Sequence, residues 1–256
     1  MPDSPNSSLA RMLCVLDLFD ENQTMLTVEA ISDRLAVSRP TSYRYVRILL
    51  DASLLQYAGN AAYALGPKIT MLDHCIRVTD PMLQAARPLM RALTEQTGFD
   101  CIASGWFNNQ VLDTHREHGS ESVVLPAYDR GSVRPPFLGA GPKLILASLP
   151  TAQLRQLFET RHAEILAAGL PGEWAEFRKY YAAIRRAGHY LSHGEGHPQF
   201  VGVGVPIANP KDSLRHDVLV VVFNKSRMSI VDTDKLIGLT RETASAISGR
   251  IAKQTP

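Results

Sequence analysis

The chain has 256 residues, 45% of them hydrophobic and 20% charged, with 27 Lys and Arg against 25 Asp and Glu. That balance excludes a mainly disordered chain and fits one large domain or two ordinary ones. The formal net charge of +2 lacks the overall basicity of many nucleic-acid binders, so charge has to be read segment by segment.

The three cysteines, Cys14, Cys75 and Cys101, are widely spaced and odd in number, which fits a reducing compartment better than a disulfide framework. The opening MPDSPNSS has no positive stretch leading into an apolar one, as a secretory signal would. The longest aliphatic run, 218–223, is far short of the roughly 20 residues that span a bilayer. A cytoplasmic protein without membrane contact is expected.

Residues 8–22 place Leu9, Met12, Leu13, Leu16 and Phe19 at helical spacing behind a Ser8 cap. Thr27 caps a second helix, with Glu29 in its first turn, Leu26 stapled to Ile31, and Ala30, Ile31 and Leu35 inward. A tight break at Ala36 and Val37 leads to a third helix. Ser38 caps it, Pro40 is tolerated in its first turn, and Tyr45, Val46, Leu49 and Leu50 form its inner stripe. Arg39, Thr41, Ser42, Tyr43, Arg44 and Arg47 then fall on or near the outer face. Two short helices joined by a tight turn, the second polar and cationic outside, describe a helix-turn-helix. A hairpin around Gly59-Asn60 follows as a wing.

Residues 67–80 read as a linker helix that breaks at Asp80-Pro81, and a further helix runs to Gly98. Beyond it strands and helices alternate. Asn108-Asn109 turns a hairpin between 101–107 and 110–117. Trp174, Phe177, Tyr181 and Ile184 line the inner face of a helix over 173–187, which Gly188 stops. Strands at 199–207 and 217–224 precede a closing helix over 233–251. The expected domains are thus 1–66, a winged helix-turn-helix; 67–80, the linker; and 81–256.

Arginine pairs bidentately with guanine, while hydroxyls and helix N-termini suit phosphates, so the 38–50 helix has the chemistry of a DNA reader. Residues 1–80 carry seven basic and nine acidic side chains, so the positive charge is concentrated on that one element. Gly139, Ala140, Gly141 and Pro142 open a helix whose first N–H groups attract anions. On the strand at 199–207, alternation puts Phe200, Gly202, Gly204 and Pro206 on one face, and the two glycines are expected to leave space above the sheet.

His193, Glu195 and His197 have metal-ligand chemistry, but no further cluster completes a site, so no metal and no cofactor are expected. Cys101, Ser104, His115 and Glu195 offer a rival reading as a small-molecule hydrolase with a Cys/Ser-His pair. Against it, the chain has no G-x-S-x-G elbow, no H-E-x-x-H and no Walker A loop. The expectation is a non-enzyme.

In order and spacing, SLARMLCVLDLF, TVEAISDRLAVSRPTSYRYVRIL, YALGPKI, ARPLMRALTEQTG, PPFLGAGPKLILASLP, IRRAGHYLSHGE and VGVPI resemble the IclR family of bacterial transcription regulators over nearly the whole chain. The resemblance implies an α+β protein: a winged helix-turn-helix, a linker helix, and a C-terminal GAF-like or profilin-like effector-binding domain with a central antiparallel sheet. It implies a homodimer or dimer of dimers on double-stranded operator DNA, modulated by a small carboxylate effector; repression and activation are both open. It points to Thr27, Ser38, Arg39, Thr41, Ser42, Tyr43, Arg44 and Arg47 for DNA. For the effector it points to Phe137, Gly139, Ala140, Gly141, Ser192, His193, Gly202, Val221 and Phe223. Phe137 stands where the family commonly has His, Pro142 where it has Gly, and Gly202 where it often has Cys. Val221 and Phe223 fall near an expected hydroxyl pair. These departures imply a larger, more apolar cavity walled by Trp106, Phe107 and Phe137, suited to an aromatic acid.

Overall fold

A computed structural model describes residues 7–122 and 129–254; the 1–6 stretch read for a signal lies outside them. The chain divides after Thr79 into two units.

In the first unit, Ser7 rather than Ser8 caps α1 (Ser8–Leu13), accepting from the Ala10 N–H. The helix expected over 8–22 stops early, and a single 3-10 turn (Leu16–Leu18) follows. Asp20 explains part of this: its side chain accepts from the Asn22 and Gln23 N–H groups, a local turn that competes with helix continuation. Strand β1 (Leu26–Thr27), absent from the sequence reading, leads into α2 (Val28–Leu35). Thr27 accepts from the Ala30 N–H, and left-handed Ala36 (φ 51°) ends the helix.

Ser38 caps α3 (Arg39–Asp51) as expected. The wing is β2 (Leu55–Gly59) and β3 (Ala62–Leu65), and β3 also pairs with β1. Val15, Leu26, Val28, Ile31, Tyr45, Val46, Leu49 and Leu55 form the core. Helix α4 (Pro67–Thr79) buries no residue and exposes Met71, Leu72, Ile76 and Val78.

The second unit opens with α5 (Pro81–Thr97), capped by Asp80 and ended by left-handed Gly98. Then come β4 (Asp100–Phe107) and β5 (Gln110–Glu117), turned at Asn108-Asn109 as expected. The elements β6 (Val133–Arg134), α6 (Ala140–Ser148), α7 (Thr151–Thr160), α8 (His162–Ala167), α9 (Trp174–Ala187) and β7 (Tyr190–His193) follow. The chain closes with β8 (Phe200–Ile207), β9 (Asp217–Asn224) and α10 (Thr233–Lys253).

One antiparallel sheet orders the strands β6-β5-β4-β9-β8-β7. Its two faces carry separate cores. Val201, Val203, Val205, Leu219, Val221 and Phe223 pack with residues of α5 and α10. Ile102, Val218, Val220 and Val222 pack with α6 and α9.

Gly204 explains how close α6 lies to the sheet. A Cβ there would come within 2.7 Å of Leu144 Cδ1 and 3.2 Å of Ala140 Cβ, so a larger residue would force the Leu144 side chain to shift. At Gly202 a Cβ would meet Ser192 Oγ at 3.1 Å. Gly204 therefore lets α6 approach and does not open space, which corrects the expectation for that residue, whereas Gly202 does border a cavity.

Candidate functional sites

Helix α3 exposes Arg39, Tyr43, Arg44 and Arg47 side by side, with Tyr43 at 55%. Thr41 is half-buried. Ser42 is not on this face: it is fully buried. Positions 42, 45, 46 and 49 are one helical stripe at i, i+3, i+4 and i+7, and that stripe is the inner one. The hydroxyls of Thr27 and Ser38 accept from backbone N–H groups as helix caps, and Ser38 also bonds the Thr41 hydroxyl at 2.9 Å. A groove of about 350 Å³ between α1 and the start of α3 is lined by Ser8, Arg11, Ser38, Thr41, Arg44 and Tyr45. Arg44 Nη2 donates to Ser8 Oγ there at 3.4 Å. Arg11 was not anticipated; its place one turn from the Ser7 cap was the available signal.

The second site is a cavity of about 50 Å³ between the sheet and the N-terminus of α6. Gly139, Ala140, Gly141, Ser192 and Gly202 line it. Other expected residues do not. Phe137 is buried against Phe177, ring centroids 6.4 Å apart, and His193 is exposed beside inward-facing Ser192. Val221 and Phe223 lie on the opposite face, where Phe223 stacks on Phe99 at 5.1 Å. Strand parity puts their neighbours Val220 and Val222 at the cavity instead. Neither Trp106 nor Phe107 is among the lining residues.

The polar lining was largely missed. Ser104 on β4 donates to Asp113 Oδ1 on β5 at 2.6 Å. Asp113 is 1% exposed, and burial raises its carboxyl to about 6 despite Arg134 and the Ser104 hydrogen bond, which lower it. Asp113 Oδ2 has no hydrogen-bond partner among the described residues and lies 3.9 Å from Arg134 Nε. The signal was available: counting outward from the Asn108-Asn109 turn puts residue 104 opposite 113, the pairing observed.

A clasp closes the α6 end. Glu195 Oε2 accepts from the Gly139 N–H at 3.0 Å and lies 2.6 Å from Lys143 Nζ, while Oε1 accepts from the Tyr190 hydroxyl at 2.8 Å. Lys143, only 5% exposed, also donates to Tyr190. Glu195 is thus engaged with a lysine, and no group of three or more His, Cys, Asp or Glu placed to hold a metal ion is found among the described residues.

The rival hydrolase residues are not brought together. Cys101 is buried on the α5–α10 face, its thiol pushed far up by burial, whereas Ser104 faces the cavity. His115 bonds Glu117. Among the described residues no helix is long and apolar enough to cross a membrane.

Two family models match the chain: bacterial transcriptional regulator IclR C-terminal over residues 77–249, and the IclR helix-turn-helix domain over residues 8–59. The chain is 24% identical to the Pca regulon regulatory protein of Pseudomonas putida over 150 residues, 59% of this chain. That alignment spans 51%, about half, of the relative's length. It is 25% identical to the HTH-type transcriptional regulator XynR of Escherichia coli (strain K12), covering 79% of this chain and 80% of that one.

Among solved structures, an IclR transcriptional regulator from Silicibacter sp. TM1040 shares the fold with a TM-score of 0.81 at 20% identity, covering 98% of both chains. An IclR homologue from Microbacterium hydrocarbonoxydans, complexed with 4-hydroxybenzoate, gives 0.73 at 21% identity, covering 97% of this chain and 100% of that one. With both of its halves matched by the family models, this chain belongs to the IclR family of bacterial transcriptional regulators.

Proposed function

We propose that the chain is a non-enzymatic, cytoplasmic regulator that reads double-stranded operator DNA through α3 and whose DNA affinity is modulated by a small carboxylate bound at the N-terminus of α6. The observation that carries this reading is the row Arg39, Tyr43, Arg44 and Arg47 on the capped second helix of a winged helix-turn-helix. Arg44 and Arg11, flanking one groove, suit phosphates; Arg47 and Tyr43, further along the exposed face, suit base edges. Residues 1–66 form the reader, 67–80 the linker and 81–256 the sensor. A homodimer, or a pair of dimers, fits the exposed apolar residues of α4.

For the effector, the cavity's size supports a short acid. A single water needs roughly 10–15 Å³, so about 50 Å³ is room for a few heavy atoms. An aromatic acid is the second reading, favoured by the 4-hydroxybenzoate complex of the Microbacterium homologue. Either ligand changes DNA affinity only through unequal affinity for the DNA-competent and DNA-incompetent states.

The test is a mobility shift on DNA upstream of the protein's own gene, with wild type and Arg44→Ala, in the presence and absence of short and aromatic carboxylates. The reading expects a wild-type shift, its weakening by Arg44→Ala, and a change with at least one acid. Absence of any wild-type shift would overturn the DNA assignment.

A further inference from the structure

We propose that Asp113 is a specificity residue of the effector cavity, and that the ligand it selects is a hydroxy acid: a carboxylate that also carries a hydroxyl, donated to Asp113 Oδ2. The inference rests on the effector reading above and narrows its ligand class.

The argument begins with an unmatched acceptor. Most buried polar atoms in folded proteins are paired, because an unpaired one forfeits its hydration without replacement. Asp113 lines the cavity, and its Oδ2 is buried and receives no hydrogen bond from the described residues. Its direction is set: Ser104 holds the other oxygen at 2.6 Å, and the β4–β5 register places the two residues opposite one another.

The same small space meets the first turn of α6, where the Ala140 and Gly141 N–H groups have no intrahelical acceptors and favour an anion, Pro142 having no N–H. Glu195 takes the Gly139 N–H. One wall therefore suits a carboxylate, and another requires a donor. A simple aliphatic or aromatic acid satisfies the first and leaves Asp113 Oδ2 bare.

The donor is better a hydroxyl than an ammonium. Arg134 Nε lies 3.9 Å from Asp113 Oδ2, so the carboxylate already has a cation beside it. A second cation would meet that guanidinium in a poorly screened space, whereas a neutral hydroxyl adds a hydrogen bond without adding charge. Sites that hydrogen-bond a ligand hydroxyl discriminate steeply against analogues lacking it, because the protein partner is then stranded.

Calorimetric titration of the full chain with matched probes tests this. The short set is propanoate, 2-hydroxypropanoate, 3-hydroxypropanoate and alanine; the ring set is benzoate with 3- and 4-hydroxybenzoate. The expectation is that a hydroxy acid in one set binds wild type at least about tenfold tighter than its parent, and alanine no tighter than propanoate. Asp113→Leu should collapse the ratio below about threefold, while Ser104→Ala, which keeps the carboxylate, should preserve a preference. Should Asp113→Leu not fold, the same collapse is required of Asp113→Ala, whose melting is checked alongside.

Equal binding of parent and hydroxy acid would overturn this inference and leave the effector reading standing, as would tighter binding of alanine or a preference that survives loss of the carboxylate. No binding of any acid to wild type would overturn both.

Discussion

Arg215 clasps Asp80 with both terminal nitrogens, Nη1 to Oδ1 at 3.1 Å and Nη2 to Oδ2 at 2.9 Å, and gives its Nε to Asp217 Oδ2 at 2.6 Å. Asp80 also caps α5, accepting from the Met82 and Leu83 N–H groups. One guanidinium thus joins the residue that starts the second unit to the strand that runs under the cavity. Arg215→Ala would strand the buried Asp217 carboxylate, and we expect a loss of about 3 kcal/mol in urea unfolding. Arg215→Lys should restore less than half, because an ammonium cannot serve the two carboxylates with a planar fork.

Asp113 predicts a stability profile with pH. Its carboxyl is raised from 3.8 to about 6, first by burial, with Asp129 adding to the rise and Arg134, Ser104 and Arg116 opposing it. A raised folded-state value means that the neutral form stabilises the fold. That contribution is complete below about pH 4 and is lost as pH rises through about 6, for a total of about 3 kcal/mol. Asp113→Asn stays neutral throughout. It should match wild type near pH 4 and exceed it by up to about 3 kcal/mol at pH 8 in paired urea titrations. A flat difference across that range would refute the prediction. A carboxyl kept in place at such a cost fits a residue retained for binding.

Ser42 and Arg44 separate the two faces of α3. The Ser42 hydroxyl is buried with no hydrogen-bond partner among the described residues. Ser42→Ala should therefore leave DNA affinity unchanged and be neutral or stabilising by up to about 1 kcal/mol. Arg44→Ala should instead weaken binding to all sequences alike and reduce the slope of log affinity against log salt by about 0.9 per site. Fluorescence anisotropy over a salt series reads both.

The Glu195–Lys143 clasp should behave as a buried pair. Glu195→Gln alone leaves the 5%-exposed Lys143 without its counter-charge, at a cost of about 3 kcal/mol. The double variant Glu195→Gln with Lys143→Met should recover most of that loss, because the uncompensated charge is gone. Thermal or urea melts of the three variants measure the coupling. Equal losses in single and double variants would show that packing matters more than charge.

Local chemistry was legible without a structure. The caps at Thr27 and Ser38, the hairpin at Asn108-Asn109, and the stop at Gly188 depend on neighbours a few residues away, and all appear where the sequence places them. What failed was phase. Ser42 differs from its exposed neighbour Tyr43 by one step around a helix, and Val221 from Val220 by one step along a strand. One step turns a helical side chain by about 100° and sends a strand side chain to the opposite face, enough in each case to exchange inside and outside.

The opening charge balance marks the same boundary. Net charge did not reveal a DNA reader, but the order of residues in 38–50 did, because helix periodicity alone gathers Arg39, Arg44 and Arg47 onto exposed positions. The effector cavity lay beyond such reasoning. Gly139 meets Glu195 across 56 residues, and Lys143 meets Tyr190 across 47. Sheet order brings β5 and β6 to the cavity that β7, β8 and α6 close. Sequence determined the elements through short-range hydrogen bonding and periodicity. Only the packing of α6 onto the glycines of β8 decided which polar groups share one buried space.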